Sequence, residues 1–211
     1  EAGLPPGALN LVPGRGETAG AALAAHPGID FLSFTGSPEA GTAVQAAAAR
    51  NHIGCTLELG GKSPQIVFAD ADIEALVPVV LNAIVQNAGQ TCSAGARVLV
   101  EEAVVEAFTG RLAEAFTKLC AGTPEMDLNL GPLINPRQKA RVERYCALAA
   151  ADGIPEIARG SVADNVPEAG YFVAPRVYGP VPPEHPLARE EVFGPVLSLL
   201  TFRDEAEAVR L

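Results

Sequence analysis

The chain has 211 residues, 48% hydrophobic and 19% charged, with a formal net charge of −10. That length suits one large α/β domain or parts of two, and the balance is that of an ordinary soluble protein, which argues against a disordered or membrane class. The acidic surplus argues against nucleic acid or an anionic membrane as partner, and no apolar run reaches the ~20 residues that span a bilayer.

Segments of strand and helix character alternate, which predicts an α/β architecture with a mainly parallel sheet. Glu1 to Pro6 lacks the basic start and apolar middle of a secretory signal, so a cytoplasmic location is expected. Residues 8–14 (ALNLVPG) read as a short strand ending in a turn, and residues 17–28 as a small-residue helix closed by Pro27 and Gly28. Residues 29–37 (IDFLSFTGS) read as a buried strand, after which Gly36 and Ser37 lead into a helix over 38–51 with Pro38 in its first turn.

Residues 55–68 (CTLELGGKSPQIVF) predict two short strands around a glycine pair. The run 71–90 is apolar enough for an internal helix, with Asp70 or Asp72 as its cap and Pro78 in its early turns or at a kink. Then come a strand over 97–102, a helix over 103–120, a loop to Pro136, a helix over 137–153, a strand over 171–178, a Pro-rich connection and a strand over 195–202. The tail 203–211 reads as the opening of an amphipathic helix, and the chain lacks an initiating methionine. A fragment of a longer protein is therefore expected, with a domain boundary near Glu58 to Lys62.

Three places carry chemistry. In 34-FTGSPEAG-41 a strand ends in glycine and a helix begins, so free backbone N–H groups and a positive dipole end suit a phosphate; turn geometry alone explains the glycine equally well. In 56-TLELGGK-62, Glu58 is either a solvated residue at a strand end or a carboxylate partly buried beside a cleft, where its pKa would rise and it could accept a proton.

The third place is Cys92. Cys55, Cys120 and Cys146 sit beside aliphatic or helical positions and read as small buried hydrophobes. Cys92 instead lies among Gly89, Gln90, Thr91, Ser93, Ala94 and Gly95, so its sulfur borders space that a substrate carbon can enter. Exposed backbone N–H groups around it could stabilise an oxyanion. No cysteine or histidine cluster has metal-ligand spacing, and no metal is expected.

Four motifs in register, FTGSPEAG, LELGGKSPQIVF, NAGQTCSAGARVLV and 189-REEVFGPVLSLLTF-202, closely resemble the NAD(P)-dependent aldehyde dehydrogenase superfamily, as does the intermediate piece 170-GYFVAPRVY-178. Glu58 precedes Cys92 by 34 positions, which matches the family's separation of base and nucleophile.

The resemblance implies that residues 1–57 are the C-terminal part of a Rossmann-type NAD(P)-binding domain and residues 58–211 an incomplete catalytic domain. It implies that Cys92 attacks an aldehyde to give a thiohemiacetal and then a thioester, and that Glu58 activates the water that hydrolyses it. Gly36 and Ser37 would face the cofactor's pyrophosphate, Gly60 would lie near the nicotinamide, and Glu191 would hold the nicotinamide ribose with Phe193 beside it. A small aldehyde is the implied substrate, NAD or NADP the cofactor, and a homo-oligomer the implied assembly of the parent protein. The isolated 211 residues would be inactive or weak.

Two other readings stay open from the residues alone. One is a thiol hydrolase pairing Cys92 with His26, His52 or His185, which also needs an orienting carboxylate or carboxamide. The other is a non-catalytic remnant that keeps the motifs. Within the family, retention of a glutamate at Glu58 points to release of the product by water, not by coenzyme A.

Overall fold

A computed structural model of the chain describes residues 3–211. Its contacts divide it into two units, Glu1–Gly60 and Gly61–Leu211.

In the first unit, the strand expected over 8–14 does not form. Leu9, Leu11 and Val12 are all exposed, and no described residue pairs with this stretch. Extended backbone without a neighbouring strand leaves its N–H and C=O groups to water, so nothing locks it into a ladder. The helix expected over 17–28 is split and shorter: a π-helical turn at Gly16–Gly20 runs into α1 (Ala21–Ala24).

β1 (Phe31–Gly36), α2 (Pro38–Arg50) and β2 (Gly54–Leu59) follow. The strands pair in parallel, with Phe31 opposite Gly54 and Gly36 opposite Leu59. α2 starts where the proline predicts, its first turn capped by Ser37, whose Oγ accepts from the Ala40 N–H at 3.3 Å. It lies close to β2, because a Cβ on Gly41 would come within 2.6 Å of the Leu59 side chain. β1 is not the buried strand expected: only Leu32 is buried and Phe31 is exposed. The core of this unit is Ala24, Leu32, Ala47 and Ala48, too small to cover both faces of the pair.

The second unit runs β3 (Pro64–Val67), α3 (Ile73–Val85), β4 (Arg97–Glu101), α4 (Val105–Phe116), β5 (Cys120–Ala121), α5 (Pro136–Ala151), β6 (Glu156–Arg159), β7 (Ser161–Val162), β8 (Arg176–Tyr178), α6 (Pro186–Arg189), β9 (Val196–Phe202) and α7 (Glu205–Arg210). Five strands form one sheet in the order β3-β4-β9-β8-β6, parallel except for the antiparallel edge pair β6 and β8. β5 and β7 form a separate parallel pair.

Val98, Leu99 and Val100 are all buried, as is every residue from Val196 to Leu200. Successive side chains in a strand point to opposite faces, so β4 and β9 are covered on both, the arrangement a parallel α/β sheet requires. Phe108, Leu112 and Phe116 of α4, and Val142, Tyr145, Cys146 and Ala149 of α5, present spacings of three and four residues to this core.

The helix expected over 71–90 is shorter and amphipathic. Asp72 caps it through the Ala75 N–H, Val77, Val80 and Ile84 are buried, and Val79 is exposed. It ends at Val85 because Asn87 and Ala88 adopt left-handed backbone, with φ of 50° and 54°. The strand expected over 171–178 is reduced to its last three residues.

Candidate active site

In the second unit, β3, β4 and β9 are adjacent and parallel, so the segments that enter them converge on one edge of the sheet. The register places Pro64 opposite Arg97, and Arg97 opposite Ser198. The segment around Lys62 leads into β3, that around Cys92 into β4 and that around Glu191 into β9.

Cys92 is a free, exposed thiol. Its loop is built by turns: the left-handed run from Asn87 through Gly89, a hydrogen bond from the Ala94 N–H to the Thr91 carbonyl at 3.0 Å, and one from the Gly95 N–H back to the Ala83 carbonyl of α3 at 3.0 Å. Gln65 of β3 donates to the Gly95 carbonyl at 3.0 Å, and a Cβ on Gly95 would come within 2.5 Å of that same amide nitrogen. Gly95 is thus packed closely against the Gln65 and Ala83 side chains. Cys92 itself stays at the surface.

The loop carrying Glu191 and Phe193 lies against the cysteine loop. A Cβ on Gly89 would stand 2.3 Å from the Gly194 carbonyl oxygen. Phe193 is half-buried in left-handed backbone, with φ of 58°, a conformation that costs a bulky residue energy and persists only when its surroundings hold it.

Those surroundings are on α5, which sequence reasoning did not connect with the site. Gln138 donates to the Val192 carbonyl at 3.1 Å and the Phe193 carbonyl at 2.7 Å. Arg141 donates to the carbonyls of Glu191 and Val192, and the Tyr145 hydroxyl donates to the Glu190 carboxylate at 2.5 Å. Gln138, Arg141 and Tyr145 recur at spacings of three and four, so a polar stripe on one helix face was the available signal.

A polar cluster lies beside this loop. Lys62 is only 9% exposed and, among the described residues, its Nζ has no hydrogen-bond partner, nor do the buried Arg97 Nε and Glu191 Oε1. Burial, reinforced by the charge of Arg97 and opposed by that of Glu191, brings the Lys62 pKa down to about 8. Burial pushes the Glu191 carboxyl up, while the Gly61 amide, Arg141 and Lys62 pull it down. A buried carboxylate oxygen without a donor fits the hydroxyl of a bound ligand, as expected of a residue that holds a ribose.

The remaining candidates belong to the first unit. Gly36 closes β1 and Ser37 caps α2, whose 13 residues give the helix start a full dipole. Ser37 Oγ is already engaged with the Ala40 N–H, so an anion there would be met by the remaining free backbone N–H groups. Glu58 is exposed on β2, opposite Thr35, and Gly60 follows the strand half-buried. Glu58 is thus not partly buried as the cleft reading anticipates. Alternation along β2 turns it away from the face of Cys55, Leu57 and Leu59, which are the half-buried residues.

His185 lends no support to a thiol–imidazole pair. His185 accepts from the Leu187 N–H through Nδ1 at 3.0 Å and meets Asp152 through Nε2 at 3.1 Å. It is the histidine of the second unit, and both its ring nitrogens are engaged.

A mainly parallel sheet, with an exposed thiol loop and a clamped glutamate loop where its central strands begin, defines an α/β protein with an accessible thiol beside a polar cluster. Residues 1–211 match the aldehyde dehydrogenase family over their whole length, and the chain belongs to that family. It is 40% identical over 211 residues to retinal dehydrogenase 2 of Homo sapiens, covering 99% of this chain and 40% of that protein. It is 42% identical over 213 residues to an aldehyde dehydrogenase of Emericella nidulans, covering all of this chain and 42% of that one. The chain thus spans about two fifths of the length of these relatives.

Among solved structures, one from Burkholderia cenocepacia is 59% identical, with a TM-score of 0.96 over 98% of this chain and 44% of that one. A double mutant of the betaine aldehyde dehydrogenase of Staphylococcus aureus, in complex with NAD+, is 36% identical, with a TM-score of 0.92 over 99% of this chain and 42% of that one. The fold is that of the aldehyde dehydrogenases.

Proposed function

We propose that the full-length protein oxidises an aldehyde to a carboxylic acid, with NAD or NADP as hydride acceptor. In this reading residues 1–57 are the end of a Rossmann-type cofactor domain and residues 58–211 belong to the catalytic domain. The carrying observation is the exposed thiol of Cys92, on a loop whose backbone abuts the loop of Glu191 and Phe193. Relatives named retinal dehydrogenase and betaine aldehyde dehydrogenase support an aldehyde as the substrate class.

The Cys92 thiolate adds to the carbonyl carbon, and the alkoxide that forms is stabilised by backbone N–H groups of its loop. Bound NAD or NADP would supply the acceptor for the hydride on that carbon. Gly36 and Ser37 would meet its pyrophosphate, Gly60 its nicotinamide, and Glu191, with Phe193 beside it, the nicotinamide ribose. Cys92 then carries the acyl group as a thioester. Glu58 takes a proton from water, the hydroxide adds to the thioester carbonyl, and the thiolate leaves with the carboxylic acid released.

The protein works in the cytoplasm as a homo-oligomer on this reading; its four free cysteines suit a reducing compartment. Among the described residues no helix is long and apolar enough to cross a membrane. The 211 residues alone bind cofactor weakly and turn over little aldehyde, because the first unit supplies only a two-stranded sheet.

Rapid mixing of the full-length protein with an aldehyde panel and each cofactor tests this. Glu58→Gln retains the burst of reduced cofactor and accumulates an acyl-enzyme, while Cys92→Ala gives no burst. Aldehyde oxidation surviving in Cys92→Ala, or hydrolysis unaffected in Glu58→Gln, overturns the proposal.

A further inference from the structure

We propose that Lys62 is a positioning residue: its buried ammonium is the counter-charge that keeps the Glu191 carboxylate ionised and oriented at the sheet edge. The pairing itself stands on the second unit alone, and its consequence for cofactor binding rests on the function proposed above.

Three observations carry it. Lys62 carries three N–H donors, yet it is buried and its Nζ bonds to nothing among the described residues. A buried ammonium persists only with a compensating charge. Glu191 Oε1 is likewise buried without a donor, and its carboxyl interacts with the amide of Gly61, the residue next to Lys62. The strand register sets Arg97 opposite Pro64, two positions beyond Lys62, so the lysine faces a second cation from β4. Arg141 approaches Glu191 from α5. Lys62 and Arg141 thus act on one carboxylate, and each biases it toward the ionised form.

Lys62 and Glu191 influence each other's protonation without hydrogen bonding directly. The lysine acts through the field at Glu191, which leaves that carboxylate free to accept from a ligand. Arg97 cannot substitute, since its Nη1 donates to the carbonyls of Ala188 and Leu211.

The test uses the full-length protein with Lys62→Met, Glu191→Gln, the double variant and, as a control, Lys118→Met, whose side chain is an exposed partner of Glu114. The first arm needs no cofactor. Thermal melting of the four members of the cycle should be non-additive, with Lys62→Met more favourable by about 2 °C or more when Glu191 is already glutamine. Additive shifts overturn the pairing. Where Lys62→Met gives little folded protein, Lys62→Gln makes the same comparison.

The second arm is kinetic. Lys62→Met should raise the KM for the nicotinamide cofactor about tenfold, leave kcat within about twofold and leave the aldehyde KM unchanged. The effect should vanish in the Glu191→Gln background, and Lys118→Met should behave as wild type. An unchanged cofactor KM, or an equal change with and without Glu191, overturns the positioning role. Absence of aldehyde oxidation in the wild type would instead sink the proposed function, with the melting cycle still deciding the pairing.

Discussion

Gly89 stands so close to Gly194 that a Cβ on it would lie 2.3 Å from the Gly194 carbonyl oxygen and 2.4 Å from its carbon. Two loops more than a hundred positions apart in the chain thereby share one contact. The contact needs a residue with no side chain and with φ of +71°.

Gly89→Ala meets both the backbone of Gly194 and a disfavoured φ, and backbone cannot swing aside as a side chain can. We expect a loss of about 2–3 kcal/mol or more and a melting temperature lower by roughly 5–10 °C. The substitution should also separate the cysteine loop from the Glu191 loop and depress aldehyde turnover. An unchanged melting temperature would contradict the close approach.

The four thiols should differ in reactivity. Cys92 is exposed, Cys55 and Cys120 are half-buried, and Cys146 is buried with its thiol pushed up by desolvation. Since only the thiolate reacts, iodoacetamide at neutral pH should alkylate Cys92 at least about tenfold faster than Cys146. Peptide mass spectrometry over time reads this directly, and equal rates would count against the placement of either cysteine.

The α5 clamp predicts a local effect on the Glu191 loop. Gln138→Ala removes two hydrogen bonds to the Val192 and Phe193 carbonyls, a loss of about 1–2 kcal/mol. Hydrogen exchange of the amides over 191–194 should quicken about tenfold, while the amides of β4 keep their protection. Tyr145→Phe, which loses one bond to the exposed Glu190, should have the milder effect.

Lys62 predicts a pH dependence of stability. Its folded-state pKa, about 8, lies below the ordinary lysine value of 10.5, so between these values the unfolded chain binds more protons. Stability therefore rises with pH across that window, by up to about 1.4 kcal/mol per pH unit, and the burden of the buried ammonium is fully present below it. Urea unfolding of wild type and Lys62→Met at about pH 7.5 and 9.5 isolates the contribution, since other titrating groups are common to both. The wild type should gain about 2 kcal/mol on the variant between the two conditions; no relative gain would mean that Lys62 is solvated.

Much of the order of elements was legible. Ser37-Pro38 marks the start of α2 and Asp72 caps α3, since capping chemistry is local to a few residues. The strands expected over 97–102 and 195–202 form at Arg97–Glu101 and Val196–Phe202, because strands covered on both faces need no alternation. The strand expected over 8–14 failed for the opposite reason: ALNLVPG has suitable residues, but pairing requires a neighbour that no local pattern supplies. α3 stopped short because Asn87 and Ala88 turn left-handed to carry the chain toward Gly194, a demand set by the other loop.

The residue types of the candidate site, a thiol among small residues and a glutamate loop before a buried strand, were written in the sequence, since their chemistry depends on side-chain identity. The burial of Lys62, the clamp from Gln138, Arg141 and Tyr145, and the meeting of Gly89 with Gly194 were decided only by tertiary structure. Parallel strands bring distant segments to one edge of a sheet, and only there do desolvation, charge and close packing act on residues that the chain keeps apart.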